Sequence, residues 1–172
     1  NLKNLIKFSN KKNSPISINL IVSNTSKAEG LKYSNLYKIE KKIINFKKIK
    51  FAEKKILKIL YKKKIKLICL AGFMKILTRR FINEFNEKII NIHPSLLPKY
   101  KGLKTHKRAI NNNEKYSGCT VHFVNAKLDS GKIILQKKLK IKKKDTPAKL
   151  ENRIHKLEYL IYPAAIKRIV SL

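Results

Sequence analysis

Apolar positions along the chain follow two rhythms, and their alternation sets the expected architecture. Leu2, Leu5, Ile6 and Phe8 recur among lysines and asparagines with helical spacing. "ISINLIVSN" (16–24) is rich in β-branched residues, bounded by Pro15 and Asn24, and reads as a strand. A short helix is expected over 27–33, and a longer one over 52–62, where Ile56, Leu57, Ile59 and Leu60 form a stripe among lysines. "KLICLAGF" (66–73) is a continuous apolar run of buried-strand length closed by Gly72. Thr78 is placed to cap a helix over 79–85, and a strand over 88–92 follows. Thr105 is placed to cap another helix ending at Asn111, and 116–124 and 132–141 both read as strands. Thr146 and Pro147 form an N-cap and N1 pair for a closing helix to about Ile161, with a further turn or two after Pro163. Strands alternating with helices predict an α/β, three-layer αβα fold with a mostly parallel, Rossmann-like sheet. The last two strands lack a helix between them, so an antiparallel portion is expected near the C-terminus.

"IINIHPSLLPKY" (89–100) interrupts this rhythm with an unusual ending. In a strand, residues i and i+2 project from one face, so Asn91 and His93 point the same way at its C-terminal end. Pro94 cannot continue a ladder and biases His93 towards extended backbone. In open parallel sheets ligands bind at the C-terminal strand ends. An amide beside an imidazole there supplies an oxyanion partner next to a proton carrier. The same residues also describe a polar strand end before a Pro-rich turn, and the stretch alone leaves both readings open.

Composition narrows the class. With 172 residues, 43% of them hydrophobic, one domain with a real core is expected. No apolar stretch reaches the length of a membrane span and the start does not read as a signal peptide. Cys69 and Cys119 sit in apolar surroundings without metal-like spacing, so reduced, buried thiols and a cytoplasmic setting are expected. None of the four histidines has zinc-like spacing, and no metal is expected. The net charge of +32 invites a nucleic-acid reading, but lysine supplies nearly all of it. Arginine, the better phosphate and base-edge reader, occurs only at positions 79, 80, 108, 153 and 168. A solvated lysine coat is the expected role. The chain opens on Asn1 directly into a helical pattern, and it reads as lacking a first element.

Three stretches carry candidate chemistry together: "LAGFMKIL" (70–77), "NIHPSLLPKYKGLKTHKRAI" (91–110) and "GCTVHFVNAKLDSGKIILQ" (118–136). If their loops meet at the strand ends they supply an Asn, a His, the carboxylate of Asp129 and an apolar slot. A carboxylate beside an imidazole fixes its orientation and favours its charged form. That is equipment for proton transfer during acyl transfer.

With these motifs the chain resembles the phosphoribosylglycinamide formyltransferase family of purine biosynthesis, from Asn1 to about Ser171. The resemblance implies a formyltransferase fold over 1–172, with Asn91, His93 and Asp129 as catalytic residues. It implies that the segment Met74, Lys75, Ile76 and Leu77, with Asn91, binds the co-substrate 10-formyltetrahydrofolate. It implies that Glu158 contacts the substrate 5-phosphoribosylglycinamide, and that Asn1 ends the loop holding its phosphate, whose Gly and Ser and preceding strand are missing. A basic residue contacting folate falls somewhere within 47–50. His122 is weighed evenly between supporting Asp129 and simply sitting in the sheet. His106 is expected in a loop that shapes the site, and His155 on the surface. Small-molecule partners, no nucleic acid or membrane, and a monomer or weak homodimer complete the expectation.

Three rival readings remain. Methionyl-tRNA formyltransferases share the trio and would suit the charge, but carry a different loop after the histidine and an added basic C-terminal domain. Formyltetrahydrofolate deformylases usually carry an N-terminal regulatory domain and match "HPSLLPKYKGLKTH" less well. A basic nucleic-acid-binding domain without catalysis would need aromatics interleaved with the basic residues on one face.

Overall fold

Each apolar stripe finds a layer to bury against. The structure, a computed structural model, describes residues 1–171. Helix α1 (Leu2–Ser9) buries Leu5, Ile6 and Phe8. Strand β1 (Ile21–Ser23) pairs in parallel with β2 (Lys41–Ile43), and between them a 3-10 turn (Glu29–Leu31) runs into α2 (Lys32–Leu36). Helix α3 (Ile49–Lys62) leads to β3 (Leu67–Leu70), α4 (Arg79–Phe85), β4 (Lys88–His93) and α5 (Thr105–Asn111). The hairpin β5 (Tyr116–Phe123) and β6 (Ile133–Lys140) then precedes the long α6 (Pro147–Val170).

Strands β3 to β6 form one sheet in chain order, with β3 and β4 parallel and the two later pairs antiparallel. Alternate residues of β4 feed two cores. Ile90 and Ile92 pack with Leu5 and Phe8 of α1 and with Leu150, Ile154 and Tyr162 of α6. Ile89 packs on the opposite face with Ile56 and Leu60 of α3 and with Phe81 and Phe85 of α4. The α/β three-layer expectation therefore holds, with parallel and antiparallel parts. The antiparallel share is larger than the helix–strand alternation predicts. The register sets His93 opposite Thr120, so β5 starts past the end of β4 and runs back antiparallel to it, while the intervening α5 packs on α6 with Ile110 against the α1–α6 core. That return path leaves a long loop above His93.

Other differences have local causes. Only residues 21–23 of the predicted strand over 16–24 are paired; Ile16, Ile18 and Leu20 instead line an apolar cavity of about 650 Å³ between β1 and β3. The same cavity leaves the wholly apolar β3 half-exposed. Strand β2 escaped the pattern because its residues Lys41, Lys42 and Ile43 are all exposed. The helix expected over 27–33 forms further along the chain, with α2 running to Leu36. Thr105 does not cap α5: Lys104 occupies the cap in a left-handed conformation, φ 56°, and Thr105 is buried in the first turn. Thr78 and Thr146 do cap, accepting from the N–H of Phe81 and Lys149.

Helix α6 runs unbroken through Pro163, where a stop was expected. Proline removes the bond to the carbonyl four residues back. That carbonyl, on Tyr159, accepts instead from Asn4 Nδ2 of α1 at 2.8 Å. A packing contact from outside the helix thus replaces the missing backbone donor.

Both cysteines are free thiols, Cys119 buried and Cys69 half-buried, and burial pushes each up to about 12. No lysine among the described residues is buried, as a solvated coat requires. No helix among them is long and apolar enough to cross a membrane.

Candidate active site

The odd-numbered residues of β4 face the α3–α4 side, and at the strand's end this places Asn91 and His93 under the returning loop. The β4–β5 register sets Asn91 opposite His122 and His93 opposite Thr120. Cross-strand neighbours share a face, so four polar side chains form a 2 × 2 array. The period of two in "NIHP" foretells half of that array, and β5 supplies the rest.

Asp129 enters from the turn after β5 with φ 44°, a left-handed conformation that Asp tolerates better than most residues. Its Oδ2 lies 3.4 Å from His93 Nδ1 and accepts from the Gly102 N–H at 2.8 Å. Its Oδ1 lies 3.7 Å from His122 Nε2. Lys101 Nζ also donates to Ser130 Oγ at 2.6 Å, so the loops after β4 and β5 are clasped across the site. The other nitrogen of His93, Nε2, stands 2.9 Å from the carbonyl of Tyr100. Each ring nitrogen therefore has an oxygen close by, Asp129 Oδ2 on one side and the Tyr100 carbonyl on the other. His93 and the Asp129 side chain are both buried.

His122 proves more than a sheet residue. Its Nδ1 donates to the carbonyl of Phe123 at 2.8 Å, which leaves Nε2 as the acceptor for Asn91 Nδ2 at 3.3 Å. This tautomer orients the Asn91 amide and leaves its second N–H free. Burial pushes the pKa of His122 down, opposed by the Phe123 carbonyl and by Asp129. Burial also depresses His106. A histidine with a depressed folded pKa binds its proton more readily when unfolded. Its contribution to stability is therefore present above about pH 6.5, the ordinary histidine value, and is lost as pH falls through the folded pKa. The melting temperature is accordingly expected to drop as pH is lowered from 7 to 5, with a shallower slope in His122→Gln; parallel slopes in the two proteins would remove His122 from this account.

Beside the array lies a cavity of about 70 Å³. Lys75, Ile76 and Leu77 line it together with Asn91, His122, Leu128 and Asp129. The segment 74–77, foreseen as a cofactor wall, thus adjoins the Asn–His–Asp group. Met74 is the exception, 73% exposed and not among the lining residues. His93 also does not line this cavity. Glu158 is buried on α6, on the other side of the sheet, and its Oε2 accepts from Asn1 Nδ2 at 2.7 Å. Asn1 Oδ1 is buried without a partner. The two predicted subsites therefore flank the end of the sheet from opposite faces.

A supporting network had no sequence signal. Thr120 Oγ1 donates to the Ser95 carbonyl at 2.7 Å and accepts from the Leu97 N–H and from Gln136 Nε2. Gln136 also reaches the Leu97 carbonyl, so the loop directly after His93 is anchored to β5 and β6. The partners are 25 and 39 residues away in the chain, beyond any local pattern. His106, expected in a loop, lies in the first turn of α5 with its Nδ1 buried and unpartnered. His155, expected on the surface, is half-buried and stacked on Tyr159. Lys47 to Lys50 lie at the start of α3 with no contact to the site among those described. Rings beside basic groups, those of Phe8, Tyr33, Tyr100 and Tyr116, are scattered over α1, α2, a loop and β5. Among the described residues no group of three or more His, Cys, Asp or Glu side chains is arranged to hold a metal ion.

The chain is similar to proteins of known family. Residues 1–166 match the family model described as formyl transferase. The chain is 41% identical over 170 residues to phosphoribosylglycinamide formyltransferase of Haemophilus influenzae, covering 97% of this chain and 80% of that protein. It is 38% identical over 175 residues to the human trifunctional purine biosynthetic protein adenosine-3, covering 99% of this chain but only 17% of the longer protein. Crystal structures of phosphoribosylglycinamide formyltransferases superpose closely. That from Brucella melitensis gives a TM-score of 0.93 at 34% identity over 99% of this chain and 90% of the other. That from Anaplasma phagocytophilum gives 0.92 at 37% identity over 99% and 80%. By the extent of the family match and the identity to the Haemophilus influenzae protein, this chain belongs to the formyl transferase family.

Proposed function

We propose that the chain transfers a formyl group from 10-formyltetrahydrofolate to the amine of 5-phosphoribosylglycinamide, a step of purine biosynthesis. The observation that carries this reading is the cluster of Asn91, His122, Asp129 and His93 at the sheet end, beside a cavity bounded by residues 75–77. Membership of the family, and the names of its relatives, support the choice of donor and acceptor.

In this reading the amine nitrogen attacks the formyl carbon and forms a tetrahedral intermediate with a negative oxygen. The free N–H of Asn91 donates to that oxygen, since His122 already holds the other side of the amide. Collapse breaks the bond from the formyl carbon to the folate nitrogen. The amine loses a proton and the folate nitrogen gains one, so charge and atoms balance without a metal or oxidant. Asp129 holds His93 in place for that proton traffic or for stabilising the oxyanion. His93 Nε2 is occupied by the Tyr100 carbonyl, so substrate has to displace that carbonyl before the ring can act. The backbone of 74–77 forms the donor wall, and Asn1 with Glu158 receives the amine substrate.

The decisive assay supplies purified chain with the formyl folate and one acceptor at a time: phosphoribosylglycinamide, methionyl-tRNA, or water alone. Formylation of the ribonucleotide only is the expected result. Formyl-methionyl-tRNA, or formate release without an acceptor, would replace this reading with one of the two related activities.

A further inference from the structure

Glu53 is a buried carboxylate on α3, 4% exposed, that lines neither the cavity nor the catalytic group. A carboxylate is rarely taken out of water unless its oxygens are satisfied. Both of its oxygens are engaged by one residue: Oε1 accepts from the Thr78 N–H at 2.8 Å, and Oε2 accepts from Thr78 Oγ1 at 2.6 Å. Thr78 Oγ1 in turn accepts from the Phe81 N–H as the cap of α4. The hydroxyl is thereby used in both directions, and the main chain at Thr78 is pinned to α3 by two charge-assisted bonds.

The location of that pin gives it meaning. Thr78 follows Leu77, the last residue of the segment that borders the cavity. The other end of the segment leaves β3 through Gly72, at φ 70°, a residue with nothing within 4 Å of where a Cβ would sit. One end of the wall is thus a permissive glycine in open space and the other is a clamp. The position of Lys75, Ile76 and Leu77 relative to Asn91 and Asp129 depends on the clamp.

We propose that Glu53 is a positioning residue for the formyl donor, acting through Thr78 to fix the wall formed by 74–77. This rests on the reading of that segment as the donor wall. A displaced wall weakens donor binding in ground and transition states alike, which raises KM for the donor and leaves kcat in place. A merely structural Glu53 would lower the melting temperature without dividing the two substrates.

The test compares Glu53→Gln, Glu53→Ala, Thr78→Val and the Ala/Val double variant. Tetrahydrofolate affinity is measured by titration, the KM of each substrate by initial rates, and exchange of the 73–78 amides by hydrogen–deuterium exchange. Glu53→Ala is expected to weaken tetrahydrofolate binding and raise donor KM about tenfold, with kcat and the KM for the amine substrate within about twofold. Glu53→Gln keeps one acceptor oxygen and is expected to cost about threefold; it also carries the test if the alanine variant does not fold. Because both residues act through one contact, the double variant should bind the donor no more weakly than the worse single one. Faster exchange at 73–78 should accompany the loss. Unchanged exchange there, or an equal loss for both substrates, would overturn the role of Glu53. Faster exchange with unchanged tetrahydrofolate affinity would instead overturn the donor-wall reading, and the proposal with it.

Discussion

Replacing Asn91 by alanine is expected to lower kcat for formyl transfer by about 100- to 1000-fold, with little change in either KM. The amide borders the cavity, and one of its two N–H groups is already committed to His122 Nε2 at 3.3 Å. Its orientation is therefore set before substrate arrives, and an oriented donor that meets charge only in the transition state acts on kcat. Asn91→Asp should be at least as damaging, because it offers a negative oxygen where a donor is needed. His122→Ala should cost less, since it frees the amide to rotate without removing it. The measurement is steady-state kinetics on the three variants beside the melting curve of each. A fall of less than about fivefold in Asn91→Ala would remove the amide from the oxyanion role.

Gly131→Ala is expected to be the most damaging exchange of a single hydrogen for a methyl group in this chain. A Cβ at this position would sit 1.7 Å from the Phe123 carbonyl oxygen and 2.6 Å from its carbon. Neither is the end of a side chain that can swing away. The Phe123 N–H donates to the Lys132 carbonyl at 2.9 Å, so the two segments are held together where β5 gives way to the Asp129 turn. Separating them costs about 3 kcal/mol, which lowers the melting temperature of a domain this size by roughly 6–12 °C. The displacement also falls within two residues of Asp129 and should reduce kcat in the fraction that remains folded. Gly72→Ala is the informative contrast: its added methyl meets nothing within 4 Å, and only the positive φ of 70° opposes it, at about 1 kcal/mol. Thermal melting of the two variants checks the order, and equal losses would mean that the β5–β6 turn yields more easily than its packing suggests.

Those two predictions draw on different kinds of information. That Asn91 and His93 share a face follows from a period of two and a proline, both local properties of the backbone that are legible in the residue order alone. The two apolar stripes of β4, the helix with Thr78 as its cap, the Thr146–Pro147 start of α6 and the burial of Cys119 are equally local, because burial pattern and capping depend on neighbours within one or two turns. The turn in the 118–136 segment put the Asp129 carboxylate among the candidate groups, and the resemblance implied its catalytic role. What joins these pieces is not local. The pairing of β5 antiparallel to β4 sets His122 opposite Asn91, and only that register gives the amide its orientation. Glu53 reads in the sequence as one more charge on a lysine-rich helix, and its burial under Thr78, 25 residues away, appears only when α3 meets α4. Pro163 would end an isolated helix, but the side chain of Asn4 takes over the freed carbonyl from a distance of 155 residues. Residue order was thus enough for most of the elements, their buried faces and the chemistry of the strand end. Which partner each polar group found was settled by folding, because a hydrogen-bond partner is chosen by proximity in space and distant segments of the chain gain that proximity only when the layers pack.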